Sequence, residues 1–135
     1  MKKIFILILY ILSFSAFANT IDSLKTALVK ENIDTVKIKI LLKLTYKLQD
    51  TIASEALQYV NQAITLSEKI EDNNRLVRSL TQKAYLYDAM NKKTISIQFL
   101  NEAITKSEKE TIYKANAYKS LGYLFFDMGE NEKAL

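Results

Sequence analysis

From residue 36 onward the apolar positions recur with a mostly helical period. Ala56 and Ala63 flank Val60, and Ser96 and Ala103 flank Leu100, each set spaced i, i+4, i+7 on one helical face. The block Ala63-Ile64-Thr65-Leu66-Ser67-Glu68-Lys69 returns as Ala103-Ile104-Thr105-Lys106-Ser107-Glu108-Lys109, six of seven residues identical at an offset of 40. A second pattern precedes each block. It reads Leu41, Leu44, Thr45, Leu48 and then Ala56; Leu80, Ala84, Tyr87 and then Ser96; Tyr118, Leu121, Gly122, Phe125 and then Ala134. The spacing predicts three units of two helices each, 38 to 40 residues long, with turns near Gln49–Ile52, Asn91–Thr94 and Gly129–Asn131.

One stretch points elsewhere when taken alone. Val36 to Leu48 alternates, with Val36, Ile38, Ile40, Leu42, Leu44, Tyr46 and Leu48 on one parity, as in a strand. Thirteen residues far exceed a usual strand of about 5 to 6. Leu and Lys are good helix formers, and the stretch fills the first-helix slot of the repeat. The expectation is helix.

Composition narrows the chemistry. The 135 residues include no His, Cys, Trp or Pro and two Gly. Without Cys there is no disulfide framework, thiolate nucleophile or thiolate-bound metal. Without His the usual acid/base group near neutral pH is missing. Few turn residues argue against an all-β design. At 49% hydrophobic and 25% charged the chain reads as an ordinary folded protein.

The N-terminus reads as an address. Lys2 and Lys3 precede the uncharged apolar run from Ile4 to Phe14, and Ala16-Phe17-Ala18 has the small residues of a cleavage site. The expectation is a signal peptide over 1–18 and a secreted or periplasmic destination. A retained N-terminal membrane anchor is the alternative. The run is shorter than the roughly 18 to 20 residues of a spanning helix, and no Cys follows to carry a lipid. Lys2 and Lys3 supply two of the 19 Lys+Arg that outweigh 15 Asp+Glu, so half of the +4 net charge belongs to the leader. The other basic residues are interleaved with acids, the pattern of solvated helix faces rather than of a nucleic-acid surface.

The first-helix pattern Tyr118-x-x-Leu121-Gly122-x-x-Phe125 and the small–x3–large–x2–Ala second helices together resemble a tetratricopeptide repeat protein. Lys83 stands where that family has a large apolar residue and Thr45 where it has a small one, and the units exceed the usual 34 residues or so. The resemblance implies an all-α, right-handed solenoid of helix-turn-helix repeats. Its divisions would be a leading helix and linker over 19–35 and repeats over about 36–73, 74–111 and 112–135, the last incomplete. More narrowly, the chain is similar to the extracytoplasmic N-terminal regions of bacterial sensor histidine kinases and regulators that carry such repeats. Asp34-Thr35-Val36-Lys37 before the first repeat and the Ser-Glu-Lys helix ends both suit that group. It reads as a fragment of a longer protein, with completion by dimerisation as the alternative.

In such solenoids the first helices line a concave, peptide-binding face. Aligning the repeats makes Tyr46, Tyr85 and Tyr123 equivalent, flanked by Lys39 and Leu42, Arg78 and Thr81, Asn116 and Lys119. Tyr rings edged by Lys, Arg and Asn would offer aromatic area and donors for a partner's carboxylates. The other reading of these rings is packing between helices, with the hydroxyl reaching water. The carboxylates Glu68, Glu71 and Asp72, and Glu108 and Glu110, lie among lysines without the spacing of a cation loop. No catalytic residue, cofactor or metal site is expected, no small-molecule substrate is evident, and the chain is read as non-enzymatic. The expected role is a protein- or peptide-binding sensor module of a transmembrane signalling protein, with possible self-association through the incomplete third repeat. The alternatives are a stand-alone secreted scaffold or assembly factor, and a docking platform for an enzyme domain beyond residue 135.

Overall fold

The computed structural model describes residues 20–109 and 111–134, with side chains as far as Gly129; the leader read over 1–18 lies outside the described residues. Six helices follow one another: α1 over 20–30, α2 Asp34–Leu48, α3 Ala53–Lys69, α4 Asn73–Ala89, α5 Lys93–Lys106 and α6 Ile112–Ala134. There is no strand among the described residues, and no helix there is long and apolar enough to cross a membrane.

The alternating stretch is helical. In α2 the residues Ile38, Leu41, Leu42, Leu44, Thr45 and Leu48 are buried, a stripe in steps of three and four rather than two. Thr45 fits the core because its hydroxyl donates to the Leu41 carbonyl at 2.9 Å. Two other buried hydroxyls are satisfied in the same way: Ser67 donates to the Ala63 carbonyl at 2.7 Å and Thr81 to that of Val77 at 2.8 Å.

Two helices end on a left-handed residue, Glu71 with φ 54° after α3 and Asn91 with φ 57° after α4. After α3 the Asp72 N–H reaches the Ser67 carbonyl and the Glu71 N–H that of Glu68, both at 3.0 Å. Lys92 to Tyr87 and Asn91 to Asp88, both at 2.8 Å, repeat this closure after α4. These are Schellman motifs, which satisfy the last helical carbonyls and reverse the chain at once. Asp72 then caps α4, its carboxylate accepting from the Arg75 N–H at 2.9 Å and pairing with the Arg75 guanidinium. That employment, and the hydrogen bond from Asn73 to Glu108 at 2.7 Å, accounts for part of the acidic cluster at the helix ends.

Each helix from α2 onward packs on the next, and α2 also touches α4 as α4 touches α6. The apolar interior forms two clusters. Leu41, Leu44, Leu48, Ala56, Val60 and Ala63 belong to one, Leu80, Ala84, Leu100, Ala103, Ala117 and Leu124 to the other. Residues 51–65 and 91–105, which are 40 apart in sequence, share the same degree of burial at every position. Helix α1 lies against the first cluster through Ile21, Leu24 and Leu28. Lys25 ties it to α3 through Glu55 at 2.7 Å.

The last unit departs from expectation. No turn forms at Gly129–Asn131; α6 continues as one helix to Ala134, and Gly129 does not adopt a positive φ. No later helix stands among the described residues to hold such a turn, and a continued helix keeps its backbone hydrogen bonds internal. The expected inward face also differs. Ala117, Ser120 and Leu124 are buried, whereas Tyr118 and Phe125 are 52% and 55% exposed. α6 turns to α4 and α5 the face toward the preceding unit, and the face that a partner of its own would cover stays bare.

Candidate binding face

Three depressions run along one side of α2, α4 and α6. The first, about 440 Å³, is lined by Leu24, Leu42, Lys43, Tyr46, Lys47, Arg78 and Gln82, among others. The second, about 400 Å³, adds Thr81, Tyr85, Tyr113 and Asn116 to Arg78 and Gln82. The third, about 610 Å³, contains Tyr85, Asn116, Lys119, Ser120 and Tyr123, with Asp88 and Asp127 at its far end. Neighbouring depressions share the side chains of Arg78 and Gln82, then of Tyr85 and Asn116, so they follow one another across three helices as a groove partitioned by those side chains.

Of the seven residues singled out from the sequence, Tyr46, Arg78, Tyr85, Asn116, Lys119 and Tyr123 line this groove. Lys39 is exposed on α2 but lines none of the three depressions. Lys43, Lys47, Gln82 and Tyr113 line the groove without having been singled out. Lys43, Gln82 and Ser120 are spaced by 39 and 38 residues. They are thus equivalent positions one turn before each tyrosine, a signal the repeat alignment already contained.

The three tyrosines present their rings to solvent: Tyr46, Tyr85 and Tyr123 are 62%, 41% and 64% exposed. Tyr85 both borders the groove and makes a contact between helices. Its hydroxyl is 2.6 Å from the Ser120 Oγ, and the Ser120 hydroxyl is itself spent on the Asn116 carbonyl at 2.8 Å. The Tyr85 proton therefore goes to Ser120, bracing α4 against α6 while one ring face remains open. Gln82 Nε2 donates to Gln49 Oε1 at 3.3 Å across α4 and α2. The Lys119 ammonium lies 5.8 Å from the centre of the Tyr123 ring.

The electrostatics are uneven along the groove. Among the described residues no ion pair within 4.0 Å engages Lys43, Lys47, Arg78 or Lys119. Carboxylates line only the α6 end, where Asp127 pairs with Lys93. No group of three or more His, Cys, Asp or Glu able to hold a metal ion occurs among the described residues. The groove thus combines aromatic faces, amide groups and cations outside those ion pairs, a set suited to holding a chain of peptide groups and carboxylates. Comparison with protein-family models, with curated proteins and with solved structures gives no match for this chain.

Proposed function

We propose that the chain is a non-enzymatic, protein- or peptide-binding module, a right-handed solenoid of tetratricopeptide-like helix pairs whose ligand lies along the groove on α2, α4 and α6. The observation that carries this reading is the succession of three depressions across α2, α4 and α6, with one exposed tyrosine from each helix. A rigid aromatic ring costs little entropy to fix on binding, and a preformed groove lowers the cost further. The sequential helix contacts and the burial pattern that repeats position for position support the stacked architecture.

The setting we propose is extracytoplasmic, on the sensor side of a bacterial transmembrane signalling protein. The leader-like Lys2–Ala18 segment and the resemblance to sensor regions support it. Immunoblotting of cell fractions with an antibody to residues 75–110 tests that setting.

The binding reading is tested by selecting peptides from a displayed library against the full chain and measuring their affinity by fluorescence anisotropy. Replacing Tyr46 and Tyr123 together by Ala should weaken the selected peptides at least tenfold, about 1.4 kcal/mol or more, without loss of helical circular dichroism. Raising salt should weaken acidic peptides most, because the groove's cations are exposed and screened. Peptides that bind the double variant as well as the parent overturn the reading.

A further inference from the structure

The exposed side of α6 is an ordered seam rather than a scatter of apolar residues. Ala115, Tyr118, Gly122, Phe125 and Gly129 succeed one another in steps of three and four, small residues alternating with aromatics. Thirty-eight residues earlier the same seam reads Val77, Leu80, Ala84 and Tyr87 in α4. A further 39 earlier it reads Ile38, Leu41, Thr45 and Leu48 in α2. In α2 and α4 the seam is covered, and only Tyr87 of those eight residues is less than fully buried. In α6 the positions of Ala115, Tyr118, Gly122 and Phe125 are all exposed.

The covering element is visible twice. α3 brings Ala56, Tyr59, Val60 and Ala63 to α2, and α5 brings Ser96, Phe99, Leu100 and Ala103 to α4. The contact has three recurring parts. Small residues at i and i+7 admit the other backbone, and at α5 the Ser96 hydroxyl reaches the Ala84 carbonyl at 2.8 Å. An aliphatic residue at i+4 fills the space between, Val60 in one case and Leu100 in the other. An aromatic residue stands at i+3 in both, and in α5 it meets the last seam position, Phe99 stacking on Tyr87 with ring centres 5.4 Å apart. α6 offers each counterpart: Gly122 at the place of Ala84, with nothing within 4 Å of where its Cβ would stand, and Phe125 at the place of Tyr87.

We propose that the bare face of α6 is a docking seat for an amphipathic helix built on the plan of α3 and α5: small, aromatic, aliphatic and small residues at i, i+3, i+4 and i+7. The occupant's first small residue sits over Gly122, and its aromatic ring stacks on Phe125. This seat lies on a different side of α6 from the Lys119 and Tyr123 groove and does not depend on what that groove binds.

The probe is a fluorescent peptide of residues 92–109, held helical by a hydrocarbon staple between positions 94 and 98, both exposed in α5. Titrating it with the full chain should give a saturable rise in anisotropy. Gly122→Leu should weaken it at least tenfold, because the added side chain fills the seat. Leu is a better helix former than Gly and meets no neighbour there, so the helical circular dichroism should persist. Ala103→Leu within the peptide should weaken it similarly, while Tyr46→Ala in the protein should leave it within twofold. No saturable binding by the stapled peptide, or equal binding to the Gly122→Leu protein, overturns the proposal. So does a dimer in sedimentation that Gly122→Leu dissociates, since the seat would then belong to a second copy.

Discussion

Lys83 sits half-buried on α4 with its ammonium 4.3 Å from the centre of the Phe99 ring. Burial holds its pKa below the usual 10.5, against a weaker opposing pull from the Glu102 carboxylate. A lysine whose folded pKa is depressed charges more readily once unfolded. Its cost is therefore full at neutral pH and fades as pH rises from the folded value toward 10.5. Lys83→Met forfeits a cation–π contact of about 0.5–1 kcal/mol and gains apolar burial of larger size. The variant should be about 1 kcal/mol more stable at pH 7 by thermal denaturation, with the advantage shrinking toward pH 10. A lower melting temperature would mean that the ring contact outweighs the burial cost. Glu55 shows the opposite sign. The hydrogen bond from Lys25 and a second from Tyr59 hold its carboxyl below the usual range, against burial that raises it. Its contribution is present above the unfolded carboxyl pKa and is lost as pH falls through the folded one. Melting curves of Glu55→Gln should lie below the parent's at pH 7 and converge with them as pH falls below the unfolded carboxyl value of about 4.3.

At the scale of elements, the decisive feature is how each helix stops. Glu71 holds a left-handed conformation that costs a non-glycine residue roughly 1–2 kcal/mol, in a Schellman closure whose hydrogen bonds are all backbone. Glu71→Gly should therefore stabilise the chain by about 0.5–1 kcal/mol in guanidinium unfolding, once the extra freedom of glycine when unfolded is subtracted. Asn91, at the equivalent place after α4, should gain much less from the same change because Asn tolerates this region better. These closures also show how far the sequence was legible. The offset of 40 between Ala63–Lys69 and Ala103–Lys109 anticipated two helices of matching burial, and a helix-period stripe in α2 overrode its alternating look. The turns after Leu48 and Ala89 fell where the apolar pattern lapsed. The fate of Gly129 was not legible, because a turn residue reverses the chain only when the segment beyond it has something to pack against. Nor was the exposure of Tyr118 and Phe125, since a pattern identifies a face but not whether that face is covered. The groove was legible in its tyrosines, which alignment makes equivalent. It was less so at Tyr113, Lys47 and Lys39, where lining depends on how neighbouring helices cross.

Across the whole molecule, α4 is the element on which the two clusters depend. Leu80 and Ala84 belong to the second cluster, yet Leu86, fully buried on the same helix, belongs to the first with Leu44 and Val60. Contacts run between adjacent helices, between α2 and α4 and between α4 and α6, with none between α2 and α6 among the described residues. With α2 and α6 out of contact, cooperativity between the two clusters passes through α4, the element they share. Leu44→Ala and Leu86→Ala each leave a cavity in a tight site and should each cost about 2–5 kcal/mol. Their denaturation curves should differ in shape. Leu44 lies inside the first cluster, so its loss should move the guanidinium midpoint with little change of slope. Leu86 joins that cluster to the helix carrying the second, so its loss should also flatten the transition, the mark of halves that no longer unfold together. Tyrosine fluorescence, dominated at the α6 end by Tyr113, Tyr118 and Tyr123, should then depart from the circular dichroism trace in Leu86→Ala and coincide with it in Leu44→Ala. Coincident probes and an unchanged slope in Leu86→Ala would show instead that the remaining contacts of α2 and α3 with α4 keep the molecule a single cooperative unit.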